Sequence, residues 1–326
     1  MKLLTLLLSC TLLLSCSTQT FTAVANTSFQ WFTMQQEYTK LTNALNSRSK
    51  DIEQTYYHPH WAQAKESIRK FLLGSVNNQF SKNYDLSNNM IRQGFNQTQA
   101  YEVSFLKHCI SERTRTLLNS YKDIDFIGTS FECNDFNCST STLGHLFYVA
   151  KVLEKCPAED ISTIVEIGGG YGNLARIFKS IIPQATIIMV DLPELIALQA
   201  FFLRSTLPTV KVLLHTQAPA HYEVGAIHLL PVHEIKNITV DSDVFVSTFA
   251  LSESTEALQE IVAEKKFFDA NVCYISGQLQ GWGKHNFINQ SLVHNAMRES
   301  YDKVDCQPFH LFTNGFEAYE IIGTNN

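Results

Sequence analysis

One short stretch constrains this chain more than any other. Ile164-Val165-Glu166-Ile167 reads as a buried strand that runs at once into Gly168-Gly169-Gly170-Tyr171-Gly172, and then into a helical stretch from Leu174 to Ile182, ahead of Pro183. A second β-rich run, Ala185 to Val190, ends in Asp191, nineteen residues beyond Gly172. Pro193 suits the first turn of the helix that follows, Glu194 to Leu203. Glycines between a strand and a helix permit positive φ and let the backbone approach a ligand closely. In open α/β sheets, ligands sit at the carboxyl ends of the strands, beside such a turn. Further strand candidates are 210–214, 226–230, 244–248, 272–276 and 318–322. Strands alternating with helices predict βαβ units and a mostly parallel sheet covered on both faces. The expected fold is α/β: a Rossmann-like domain over 157–326, preceded by a helical region over 29–156.

That helical region has its own signals. Trp61, Ala64, Ile68, Phe71 and Leu72 recur at three- and four-residue steps, and Tyr101, Phe105, Ile110, Leu117 and Leu118 suggest a second buried stripe. Ser139-Thr140-Ser141-Thr142 offers N-caps for a helix through Leu143, Leu146, Phe147, Ala150 and Leu153. At 45% hydrophobic and 17% charged over 326 residues, the chain has ample material for a core. A net charge of −6 with no Lys/Arg block argues against a nucleic-acid partner.

The first sixteen residues differ from the rest. Lys2 precedes an apolar run, Leu3 to Leu14, which is too short to span roughly 30 Å of hydrocarbon and reads as a secretory h-region. Leu13-Leu14-Ser15-Cys16 resembles a bacterial lipobox, implying a lipid anchor on Cys16, followed by a tether over 17–28. A plain signal peptide or an uncleaved anchor is the alternative, and a membrane is expected as partner only through such an anchor. Six further cysteines (Cys109, Cys133, Cys138, Cys156, Cys273 and Cys306) could form up to three disulfides in an oxidising compartment, with Cys133 and Cys138 closing a local loop. Free buried thiols are the other reading. The spacing does not suit zinc, and no metal cluster is evident.

Two classes of ribose-containing ligand suit the glycine turn. The dinucleotide fingerprint G-x-G-x-x-G holds a pyrophosphate on a helix N-terminus, but its third glycine place falls here on Asn173. An acid-x-G-x-G-x-G spacing is met in full, with Glu166 two residues before Gly168. It resembles motif I of class I S-adenosylmethionine-dependent methyltransferases, whose cofactor carries a cationic amino group and a sulfonium. A glycine turn without any ligand is the remaining reading.

The residues 165–177 and Val190-Asp191-Leu192-Pro193-Glu194-Leu195 look like the sugar O-methyltransferase family. So do 138–148 and Val246-Ser247-Thr248-Phe249-Ala250-Leu251-Ser252-Glu253-Ser254, so that the likeness spans roughly 100–322. The resemblance implies methyl transfer from S-adenosylmethionine to a hydroxyl of a small-molecule or glycan acceptor. It also implies a cofactor site of Glu166, Gly168, Gly170, Tyr171, Gly172, Asp191, Leu192 and His233, in which Asp191 takes the ribose hydroxyls and His233 lines the adenine pocket.

A sugar hydroxyl needs a general base. The candidates are Glu253, His145, His285 and His233, the last with the adenine pocket as its alternative place. Glu253 follows the fourth strand of the domain, where acceptor-side residues are presented. His145 lies on an amphipathic helix, where a core or surface histidine is the alternative. His285 lies in Gly281-Trp282-Gly283-Lys284-His285, where an exposed surface histidine is equally compatible. Trp282 and Tyr171 could stack on a sugar or adenine, or belong to the core. One tension remains: S-adenosylmethionine is cytosolic, whereas the leader implies export. A second expectation is therefore an anchored, non-catalytic binding protein built on a methyltransferase fold.

Overall fold

A computed structural model describes residues 31–43, 56, 61–74, 97–124, 136, 138–278, 290–309 and 318–325. In chain order the helices are α1 (31–43), α2 (Trp61–Leu73), α3 (Gln97–His108), α4 (Glu112–Ser120), α5 (Thr140–Leu153), α6 (Asn173–Ile181), α7 (Pro193–Thr206), α8 (Glu256–Glu264) and α9 (Gln290–Ser300). The strands are β1 (Thr163–Ile167), β2 (Thr186–Asp191), β3 (Val212–Leu214), β4 (Ile227–Pro231), β5 (Val244–Thr248), β6 (Val272–Gln278), β7 (Lys303–Phe309) and β8 (Ala318–Thr324). They form one sheet in the order β3-β4-β2-β1-β5-β6-β8-β7. Pairs from β3 through β6 are parallel, and β8 runs antiparallel to both β6 and β7.

Strand periodicity sorts the core into two layers. Ile164, Ile187, Met189, Val244, Val246, Val272 and Tyr274 face the layer of α5, α6 and α7. Val165, Ile167, Ile188, Val190, Phe245, Cys273 and Ile275 face α8 and α9. The strand order reverses between β1 and β5, which opens a crevice at their carboxyl ends. This is the expected Rossmann-like α/β sheet with helices ahead of it.

The N-terminal helices belong to the same core. In α1, Trp31, Met34, Tyr38 and Leu41 are buried at helical spacing. The Trp31 ring meets Phe71 of α2 at 5.1 Å and Phe201 of α7 at 4.9 Å, both edge-on. Helix α5 starts at the expected cap, where the Ser139 hydroxyl accepts from Thr142 N at 3.1 Å. It is tied to the sheet by Lys151, whose Nζ lies 2.7 Å from Glu320 Oε1 on β8, under the rings of Phe105 and Phe147. Glu320 also accepts from Tyr274 Oη at 3.1 Å and Gln307 Nε2 at 2.7 Å.

Several expectations are corrected. Tyr101 is 46% exposed, because α3 turns Gln99, Glu102 and Leu106 inward instead. A cap at Ser111, accepting from Thr114 N, separates α3 from α4 within the second apolar stripe. Strand β7 carries no apolar run because it is an edge strand, which tolerates Pro308 and charged residues. Cys109, Cys156, Cys273 and Cys306 carry free thiols, so three disulfides do not form; Cys273 is sealed in the middle of β6. Cys133 and the leader, with Cys16, lie outside the described residues. Among the described residues, no helix is long and apolar enough to cross a membrane.

Candidate functional site

The same periodicity that sorts the core also sorts the polar groups. Glu166 on β1, Asp191 on β2, Thr248 on β5 and Ser276 and Gln278 on β6 alternate in phase with the residues that face α5–α7. All sit at or near the carboxyl ends of their strands, around the glycine turn. Gly168 has φ +78°, and a Cβ there would lie 1.8 Å from the Ala250 Cβ, so only glycine lets the turn pass the end of β5. Gly170 has φ +56°, and a Cβ there would meet nothing within 4 Å. Its outer side is open space against which a ligand can lie.

Under that turn lie two buried carboxylates. Glu166 is 2% exposed, and its Oε2 has no hydrogen-bond partner. Burial, reinforced by the charge of Asp191, pushes its carboxyl up to about 8. Asp191 is pushed up to about 7 by burial, against the pull of four donors. Its Oδ1 accepts from Leu192 N at 2.8 Å and its Oδ2 from Gln199 Nε2 at 2.8 Å. Backbone hydrogen bonds from Gly170 and Gly169 add to these. Asp191 therefore ties the turn down, helped by Gln199, which also donates to Gly170 O at 3.0 Å. The sequence presents Asp191 as a ribose acceptor; in the fold its carboxylate is already engaged by Leu192 N and by Gln199, which carries no sequence signal for that contact. Leu192 contributes its amide to Asp191, while its side chain is core. Tyr171 is likewise core, its ring edge-on to Phe202 at 5.0 Å. Gly172 opens α6 as a left-handed cap, packed against Leu203 and Gln199. His233 follows β4, whose Pro231 pairs with Asp191, and its Nε2 lies 3.6 Å from Glu234 Oε1.

Across the crevice, Glu253 ends the short 3-10 turn Leu251–Glu253 after β5. Gln278 Nε2 donates to its Oε1 at 2.8 Å, and the Trp61 side chain donates to the same carboxylate. Burial outweighs these donors and pushes Glu253 up to about 7. A half-buried carboxylate poised near neutral pH, held by two fixed donors, is suited to accept a proton. Neither contact to Glu253 is legible in the sequence: Trp61 reads as one more member of an apolar stripe, and Gln278 lies just beyond a strand candidate.

His145 is also drawn to this end. It is half-buried on α5, its ring 6.1 Å from the Tyr171 ring, and its Nδ1 is 2.9 Å from Asn173 Nδ2. His285 and Trp282 lie outside the described residues. Among the described residues, no group of three or more His, Cys, Asp or Glu is arranged to hold a metal ion.

A family model described as an O-methyltransferase domain matches residues 132–213, from just before α5 through the glycine turn to β3. No curated protein matches. Among solved structures, the chain is similar to EvdMO1, at 11% identity and a TM-score of 0.40 over 66% of this chain and 47% of that one. It is also similar to magnesium protoporphyrin IX methyltransferase (ChlM) from Synechocystis PCC 6803 with bound SAH, at 8% identity and a TM-score of 0.41 over 81% and 100%. A third similarity is to the mitomycin 7-O-methyltransferase MmcR, at 14% identity and a TM-score of 0.35 over 69% and 68%. The chain spans about half the length of the first of these, 47%.

Proposed function

We propose that this protein binds S-adenosylmethionine at the glycine turn and methylates a hydroxyl, with a saccharide as the acceptor class. The observation that carries the reading is the partnerless Oε2 of Glu166, buried beneath a turn whose outer side is open at Gly170. A buried carboxylate oxygen without a donor costs free energy unless a cation or donor arrives. The ammonium of an amino-acid-bearing cofactor fits that need. A pyrophosphate brings neither a cation nor a hydrogen-bond donor to that oxygen, and this argues against a dinucleotide.

In this reading Glu166 pairs with the cofactor's ammonium, and the turn around Gly170 receives its body. Asp191 and Gln199 keep the turn rigid, and His233 sits on the side that would take the base. When bound, S-adenosylmethionine supplies an electrophilic methyl group. Glu253 takes the proton of the acceptor hydroxyl, and Trp61 and Gln278 hold its carboxylate in place. Positioning of the two reactants supplies much of the acceleration. The family model over 132–213 supports O-methylation as the reaction class. The saccharide rests on the resemblance of the motifs alone.

Calorimetric titration with S-adenosylhomocysteine tests the site: saturable binding that weakens in Glu166→Gln is expected. No binding would overturn the enzymatic reading in favour of a non-catalytic protein on this fold. For the base, Glu253→Gln should lower kcat by roughly 10²–10⁴ and leave S-adenosylhomocysteine affinity unchanged. The export reading of residues 1–16 belongs to the same proposal. Membrane fractionation of Cys16→Ala against the unaltered chain checks it, with release of the variant from the membrane expected.

A further inference from the structure

The Asn173 side chain stands at the place of the third dinucleotide glycine, as the first residue of α6, and is 2% exposed. Its amide is oriented by its neighbours. Arg176 Nε donates to Asn173 Oδ1 at 2.9 Å, and a guanidinium has no acceptor to offer in return. The oxygen therefore faces Arg176, and the NH₂ group faces the other way, 3.2 Å from Thr142 Oγ1 and 2.9 Å from His145 Nδ1. Arg176 is itself fixed: it lies 2.8 Å from Asp123 Oδ1 and also donates to the Tyr121 hydroxyl. Asp123 in turn accepts from Ile124 N at 2.9 Å and from Ser139 N at 3.0 Å, the N-cap of the helix that carries His145.

An NH₂ group can only donate, so the His145 Nδ1 that faces it must present a lone pair. A neutral imidazole with Nδ1 bare carries its proton on Nε2. We propose that Asn173 is a positioning residue that locks His145 in the Nε2–H tautomer, making it a neutral hydrogen-bond donor beside the glycine turn. The inference rests on the proposed methyl transfer only for its consequence. His145 is blocked as a base at Nδ1 and already protonated at Nε2, which leaves Glu253 as the proton acceptor. It also gives Asn173 a reason to occupy a place where a dinucleotide site would have glycine.

Long-range ¹H–¹⁵N correlation spectra of the full chain at neutral pH read the tautomer without cofactor or acceptor, with His145→Gln identifying the signals. The unaltered chain should show Nδ1 unprotonated and Nε2 protonated. Asn173→Asp, which replaces the donor by an acceptor, should move the proton to Nδ1, and Asn173→Leu should allow both tautomers. A protonated Nδ1 in the unaltered chain, or spectra unchanged in both variants, would overturn the proposal. The spectrum of the unaltered chain decides even where a variant fails to fold. Failure here leaves S-adenosylhomocysteine binding untouched, so the two readings fail separately.

Discussion

If Glu166 pairs with a cofactor ammonium, binding must expel a proton from it. With its carboxyl pushed up to about 8, roughly nine-tenths of the free protein carries that proton at pH 7. Removing it costs about 1.4 kcal/mol at pH 7 and about 2.7 kcal/mol at pH 6, by the linkage of 1.36 kcal/mol per pKa unit. The dissociation constant for S-adenosylhomocysteine should therefore fall by at least about tenfold from pH 6 to pH 7. Asp191, pushed up to about 7, steepens the slope if it too must be ionised. Calorimetry at pH 7 in buffers of different ionisation enthalpy should report about 0.9 protons released per site for Glu166. In Glu166→Gln the Glu166 share of both effects disappears, and its affinity at pH 6 should come close to that of the unaltered protein. A dissociation constant constant within twofold from pH 6 to pH 7, with no buffer dependence, would refute the reasoning: Glu166 would then not meet a cation.

Other variants separate the parts of the architecture. Gly168→Ala drives a methyl group into Ala250 at 1.8 Å and should yield a grossly destabilised protein by thermal melting. Gly170→Ala should cost only about 1–2 kcal/mol for its left-handed backbone yet lose S-adenosylhomocysteine binding, since its methyl points into the open space. Lys151→Met leaves Glu320 buried without its cation and should cost roughly 3–5 kcal/mol in urea unfolding. The double variant with Glu320→Gln should recover most of that, and equal losses would show that the pair is not coupled. With S-adenosylmethionine saturating at every pH, kcat for methyl transfer should rise with pH through about 7 as Glu253 ionises, because only the carboxylate accepts a proton, and Glu253→Gln should abolish that limb.

Much of this molecule is written in local pattern. The strand–glycine–helix unit at 163–181, the cap at Ser139 and the strands β2, β4, β5 and β6 follow from turn chemistry, capping and two-residue periodicity, which act over a few residues and need no partner far along the chain. That is why the gathering of Glu166, Gly168, Gly170 and Asp191 at the strand ends is legible in the sequence. Local pattern did not tell which face of α3 turns inward, because Tyr101 and Glu102 are neighbours and only the packing against α5 decides between them. Nor did it show that Asp191 is already held by Gln199 and the turn, or that Asn173 aims at His145. The convergence of Trp61, Glu253 and Gln278 is likewise tertiary, since the three lie on an N-terminal helix, a turn after β5 and the end of β6. Spacing along the chain selects which groups stand at the strand ends. How strongly each carboxylate holds its proton depends on the water excluded around it and on the donors brought from distant segments, and only the folded packing settles that.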